Sequence, residues 1–122
     1  MTKAEAIHNF WSRFGIPAYE QNSVPQDAEL PYIAYSFSTG SFGDAVELSA
    51  ALWYRDDSWN ACNRKTEEIC RELDYGGTVL CCDRGLIWLR PGLPFAKSMG
   101  DPKDRALRGK AIRVVAEFNT LE

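Results

Sequence analysis

Few side chains in this sequence are of a type and spacing that could do chemistry. His8 is the single histidine, and any Ser-His or Cys-His nucleophilic mechanism would have to recruit it. It flanks the apolar pair Ile7 and Trp11 in an amphipathic stretch with no orienting partner in sight, which is the setting of an ordinary surface histidine. The four cysteines, Cys62, Cys70, Cys81 and Cys82, contain no C-x-x-C pair and lie more than fifty residues from His8, so their spacing predicts neither a zinc site nor a redox motif. Cys81 and Cys82 are adjacent in a strand-like run and would point to opposite faces. Reduced, mostly buried thiols are expected, with no cofactor and no metal. Asp56 and Asp57 could form an acid/base pair, but they stand where a helix should begin, and acidic residues there satisfy free N–H groups and favour the dipole. Gly40-Ser41-Phe42-Gly43 has the G-x-x-G form of a nucleic-acid clamp, yet it joins two strands and reads as a hairpin turn. No phosphate-binding loop, dinucleotide fingerprint, nucleophile elbow or H-E-x-x-H motif occurs. A non-enzymatic protein is therefore expected, with no catalytic residues.

These residues must be positioned by a chain of 122 amino acids, 45% hydrophobic and 25% charged, a length and balance that predict one domain over 1–122 with its own core. No run approaches the ~20 apolar residues needed to span a bilayer, and the N-terminal residues lead directly into an amphipathic pattern, so neither a membrane span nor a signal peptide is expected. Ala4, Ile7, Phe10, Trp11 and Phe14 follow the helical period, Thr2 and Glu5 form a capping-box pattern, and Gly15 and Pro17 end the helix. Three prolines between 15 and 31 predict an irregular connection. Strands are expected over Tyr32–Ser38 and Val46–Arg55, paired as an antiparallel hairpin. A second helix should bury Trp59, Cys62, Thr66, Ile69, Cys70 and Leu73 and close at Gly76-Gly77. Two short strands, Thr78–Cys82 and Leu86–Arg90, should flank a three-residue Asp83-Arg84-Gly85 loop with glycine in the left-handed region, and a long strand should run from Ala111 to Thr120. The fold class this predicts is α+β, a mainly antiparallel sheet with two helices packed on one face, in the order α-β-β-α-β-β-β.

The segment from Pro91 to Gly109 has no clear period, and a nineteen-residue connection of that kind tends to be functional. Within it Leu93, Phe95 and Met99 stand among Lys97, Lys103, Arg105 and Arg108, an apolar anchor with a basic rim, and this group is the expected subunit or partner interface. Phe95 could instead fold back as a lid on the domain's own core. Charge is uneven too. Residues 84–113 carry eight basic and two acidic residues, a net of +6, while the remainder of the chain holds −9. Such a split suits a heterologous interface, in which one edge of a subunit meets a different edge of the next. It suits a nucleic-acid-binding surface less well, because a pI of about 5.2 presents a repelling field to phosphates.

Taken together, Phe10-Trp11-Ser12-Arg13-Phe14-Gly15-Ile16-Pro17-Ala18-Tyr19-Glu20, Pro31-Tyr32-Ile33, Leu52-Trp53-Tyr54-Arg55 and Pro94-Phe95-Ala96-Lys97-Ser98-Met99-Gly100-Asp101 resemble a family of small proteins from the head-tail gene modules of long-tailed phages and prophages. The resemblance covers nearly the whole chain, and the order of elements is similar to that of the tail terminator (tail completion) proteins. It implies a structural subunit that self-associates as a hexameric ring, caps the tail tube and offers a surface to the head-tail connector. By the same resemblance the protein would be assembled in the bacterial host cytoplasm and reside at the tail-head junction of the virion. Other neck or adaptor proteins of the same module share these features, and a small nucleic-acid-binding module is the alternative from a different class.

Overall fold

The computed structural model describes residues 1–122. Helix α1 (Lys3–Trp11) starts as its sequence dictates. The Thr2 hydroxyl accepts from the Glu5 amide at 3.1 Å and the Glu5 carboxylate accepts from the Thr2 amide at 3.0 Å, a reciprocal capping box. A single 3₁₀ turn, Ser12–Phe14, extends it, and Gly15 at φ 76° ends it in the left-handed conformation that glycine adopts at least cost. Then follow β1 (Ala18–Glu20), β2 (Tyr32–Tyr35), β3 (Asp44–Arg55), α2 (Asn60–Leu73), β4 (Thr78–Cys82), β5 (Gly85–Asp101) and β6 (Asp104–Thr120).

The strands form one six-stranded sheet in the order β1-β2-β3-β6-β5-β4. It is a mixed sheet, since β1 and β2 run parallel while every other neighbouring pair is antiparallel. The order of elements is accordingly α-β-β-β-α-β-β-β. The additional strand, β1, lies inside the segment expected to be irregular. Its three residues are too few to show a period, and only their pairing with Ile33–Tyr35 makes them a strand. At the other end of that connection, β2 stops at Tyr35, three residues short of the expected Ser38.

Both helices pack on one face of the sheet. Ile7, Phe10, Trp11 and Phe14 from the first helical segment, and Cys62, Ile69 and Leu73 from α2, share a single core with Ile33, Leu48, Leu52, Leu80, Ile87, Leu89, Ile112, Val114 and Phe118. In each central strand alternate residues are buried, as a half-covered sheet requires. The opposite face carries no element.

Three local expectations are corrected. Asp56 and Asp57 do not cap α2: Trp59 occupies the capping position without a side-chain hydrogen bond, and the Ser58 hydroxyl accepts from the Asn60 amide at 3.3 Å instead. Cys70 is exposed, because α2 turns it past the edge of the buried stripe, whereas Cys62 is fully buried. The β4–β5 turn has two residues rather than three, with Cys82 paired to Gly85 and Arg84 at φ 63° taking the left-handed position.

Candidate functional site

The segment 91–109 is not an irregular loop. Its first part continues β5 to Asp101, and its second part begins β6 at Asp104, so that the two make a long hairpin closed by Pro102 and Lys103. The period is hidden for two reasons. Between Pro91, paired with Val114, and Ala96, paired with Ile112, the four residues Gly92-Leu93-Pro94-Phe95 stand opposite Arg113 alone, a wide bulge that reverses the alternation of faces. Beyond it the helix-side positions are polar: Ser98, Arg108 and Lys110 lie there, and Lys110 Nζ donates to Ser98 Oγ at 2.7 Å. The Asp101-Pro102 step before Lys103, with the Lys103 amide donating to Asp101 Oδ1 at 2.9 Å, is the turn signal that could have revealed the hairpin.

The seven expected interface residues are distributed unequally. Leu93, at the crest of the bulge, is 94% exposed. Lys97, Lys103 and Arg105 are exposed and take part in no ion pair. Met99 is half-buried on the uncovered face, opposite Gly109. Phe95 is half-buried and packs against the domain's own core. Arg108 points at its own chain: Nε and Nη2 donate to the carbonyls of Asp56 (3.3 Å) and Asp57 (3.1 Å), and the guanidinium lies 5.2 Å from the centre of the Trp59 ring. Its visible work is to tie the β3–α2 connection to β6. Leu93, Lys97, Lys103, Arg105 and the flank of Met99 are thus the members presented outward, spread from the bulge to the hairpin turn.

The uncovered face adds what the sequence reading missed. Residues paired across successive strands form two rows, Tyr19-Ala34-Ala51-Ala111-Lys97 and Tyr32-Trp53-Gly109-Met99. The Tyr19 and Tyr32 rings meet edge to face at 5.8 Å, and the Trp53 ring lies over Gly109, where a Cβ would come within 2.5 Å of it. Reading each strand separately hides these rows, since they exist only in the pairing register.

His8 has the orienting partners that the sequence does not show. Its Nδ1 is 2.8 Å from the Tyr35 hydroxyl and its Nε2 3.3 Å from Ser12 Oγ. Ser12 Oγ also donates to the His8 carbonyl at 2.8 Å, so its proton is committed there and it can only accept from Nε2. One tautomer satisfies the whole set, with Nε2–H donating to Ser12 and Nδ1 accepting from Tyr35. That leaves no base for a serine nucleophile in this arrangement. Burial, and secondarily Glu20, pushes the Tyr35 hydroxyl above its ordinary pKa, which keeps it a proton donor to the imidazole.

Burial likewise raises the Cys62 thiol, and no group of three His, Cys, Asp or Glu side chains is placed to hold a metal ion. A cleft of about 650 Å³ opens between the end of α2 and the start of the bulge, lined by Cys70, Arg71, Asp74, Tyr75, Arg90 and Pro91. In it Arg90 stacks 4.3 Å from the centre of Trp88 and faces Glu117 at 3.8 Å, while its Nε has no hydrogen-bond partner. No helix is long and apolar enough to cross a membrane.

No family model matches the chain, and no curated protein matches it either.

Proposed function

We propose that the protein is a non-enzymatic structural subunit of a long-tailed phage or prophage: a tail terminator that self-associates as a ring, caps the tail tube and presents a surface to the head-tail connector. The observation that carries this reading is the separation of unpaired charge across the sheet. Lys97, Lys103 and Arg105 lie on the β5–β6 hairpin between the exposed Leu93 and the start of β6, whereas residues 14–54, which supply β1, β2 and most of β3, contain five acidic residues, of which only Glu47 is in an ion pair, and no lysine or arginine. A subunit with opposite charge at its two ends is suited to directional head-to-tail association. The resemblance of the quoted segments to head-tail module proteins supplies the particular assembly.

Removing the gene from its phage or prophage and examining the particles by electron microscopy tests the proposal. Unjoined heads and tails of irregular length are expected, with joining restored by the purified protein. Normal joined particles without the protein would overturn it.

The aromatic side chains in the two adjacent rows of the uncovered face, Tyr19, Tyr32 and Trp53, favour a second reading, contact with single-stranded nucleic acid through base stacking. Retention on a polyanion column that falls steeply with salt would support that reading over assembly.

A further inference from the structure

The sheet ends in two unequal edges, and both are open. At one end β1 pairs with β2 on one side only. At the other end β4 covers β5 only from Gly85 to Leu89, so from Arg90 to Asp101 β5 is itself the edge. No backbone hydrogen bond joins another segment to Ala96–Gly100 on that side, and none joins the 21–31 connection to Ala18 or Tyr19. Open edges of this kind are templates for further pairing, and proteins that stay monomeric usually cover or blunt them.

We infer that β1 of a second copy of this chain adds to the free edge of β5, so that the sheets of neighbouring subunits become continuous. This rests on the self-association proposed above and names the surfaces that carry it.

Strand direction supports the joint. β5 runs opposite to β6, β6 opposite to β3, β3 opposite to β2, and β1 runs with β2. Counting across the sheet, β1 is therefore antiparallel to β5. A head-to-tail repeat that keeps strands aligned and all helices on one face places the incoming β1 antiparallel to β5, a pairing with straight rather than slanted hydrogen bonds. Continuing the existing rows sets the second copy's Tyr19 beside Lys97 on the uncovered face, and its Ala18 beside Ser98 on the helix side.

Charge identifies the occupant. Asp27 and Glu29 are exposed and make no ion pair, and both lie in the connection that must return along β1 because β1 and β2 are parallel. Tyr32, three residues after Glu29, begins the row that ends at Met99, so this acidic pair precedes the row on the side of the hairpin turn. Lys103 and Arg105, exposed and unpaired, stand at that turn. Unlike edges attract, which favours the head-to-tail joint over a two-fold β5–β5 pairing, where the basic turns would lie at opposite ends without acidic partners and Lys97 of the two copies would come close.

Charge reversal on each edge provides the test. One variant carries Asp27→Lys and Glu29→Lys, the other Lys103→Glu and Arg105→Glu, and thermal melting establishes that both are folded. Sedimentation of the wild type should give one discrete oligomer, and each variant alone should sediment as a monomer. An equimolar mixture should reassemble, because every joint then brings a basic edge to an acidic one, and so should the chain carrying all four substitutions. Hydrogen exchange at the amides of residues 96–100 should slow on assembly. The inference is overturned by a monomeric wild type, by either variant assembling alone, or by a mixture that stays monomeric. Failure of the broader reading is seen separately: an oligomer obeying these rules that never caps a tail tube leaves the edge pairing intact and removes the terminator role.

Discussion

Replacing Arg108 with alanine should weaken the fold, although Arg108 belongs to a segment whose other cations are free. Its guanidinium donates to two backbone carbonyls, at 3.3 and 3.1 Å, and stacks on Trp59 at 5.2 Å. Asp56 is only half-buried and Asp57 is exposed, so water can replace the lost donors, and each hydrogen bond is worth about 0.5–1 kcal/mol rather than the full value of a buried charged one. The stacked cation contributes about 0.5–1 kcal/mol more. Together these give a loss of about 2 kcal/mol. With an unfolding entropy of about 2.1 cal/mol/K per residue, a chain of 122 residues should then lose about 8 °C in melting temperature. Arg108→Lys keeps the charge near Trp59 but not the two-pronged donation and should fall between. Arg105→Glu, on an exposed side chain without a partner, should stay within about 0.5 kcal/mol of the wild type. Urea unfolding of the three variants measures these differences. Equal stability of the alanine variant and the wild type would refute the clamp, and a large loss in Arg105→Glu would show that exposure in a single subunit is a poor guide to this hairpin.

Thiol labelling of the native protein should be rapid at Cys70 and Cys81, slower at Cys82, whose pKa burial raises, and absent at Cys62 until the chain unfolds; mass spectrometry of the labelled peptides reads this directly. Gly109→Ala puts a Cβ within 2.5 Å of the Trp53 ring, so the indole must swing away, at a cost of about 1–3 kcal/mol and with a red shift in tryptophan fluorescence. The hydrogen bond from Arg55 to Asp104, 2.7 Å long, holds that carboxyl below its ordinary pKa. Because the folded pKa lies below the unfolded one, this tie stabilises the protein above about pH 4 and is lost as pH falls through the lower folded value. Melting curves of wild type and Asp104→Asn should therefore differ at neutral pH and converge in acid, and a gap that persists at pH 2 would contradict the assignment.

Where one face of an element is buried, the pattern was legible in the sequence. Helix α1 and its cap, the face of β3 carrying Leu48, Ala50 and Leu52, and the alternation of Ile112, Val114, Ala116 and Phe118 all follow from burial on one side. Legibility ended where burial did. The upper half of the β5–β6 hairpin has Arg108 and Lys110 at positions that would be apolar over a core, because the covering element there is the ring of Trp59 rather than a packed helix. Cys70 was assigned to the wrong face because a thiol counts as apolar in a periodic pattern whether or not anything covers it. Within the candidate site, residue type alone picked out Leu93, Lys97, Lys103 and Arg105 as a group, but it could not separate them from Arg108 and Phe95, which differ only in the direction their side chains take.

The bulge in β5 also says where this chain can change length. Before it β5 is held in register by β6 and, as far as Leu89, by β4 as well, and after it by β6 alone, so residues added or removed within 92–95 leave both halves of the hairpin paired as they are. Because paired residues share a face, Lys97 and Met99 stay on the uncovered side whatever the length of the arch, and only a one-residue slip of Ala96 against Ile112 would turn them to the helix side and bring Ser98 out. Gly92 is the fixed point in such rearrangements, since its Cα lies so close to the Arg113 backbone that a Cβ would meet the Arg113 carbonyl carbon at 3.0 Å. Natural or engineered relatives should therefore vary in the number of residues following Gly92 while the hairpin beyond it displays the same side chains, which makes this short arch a place where length is decoupled from what the free edge presents.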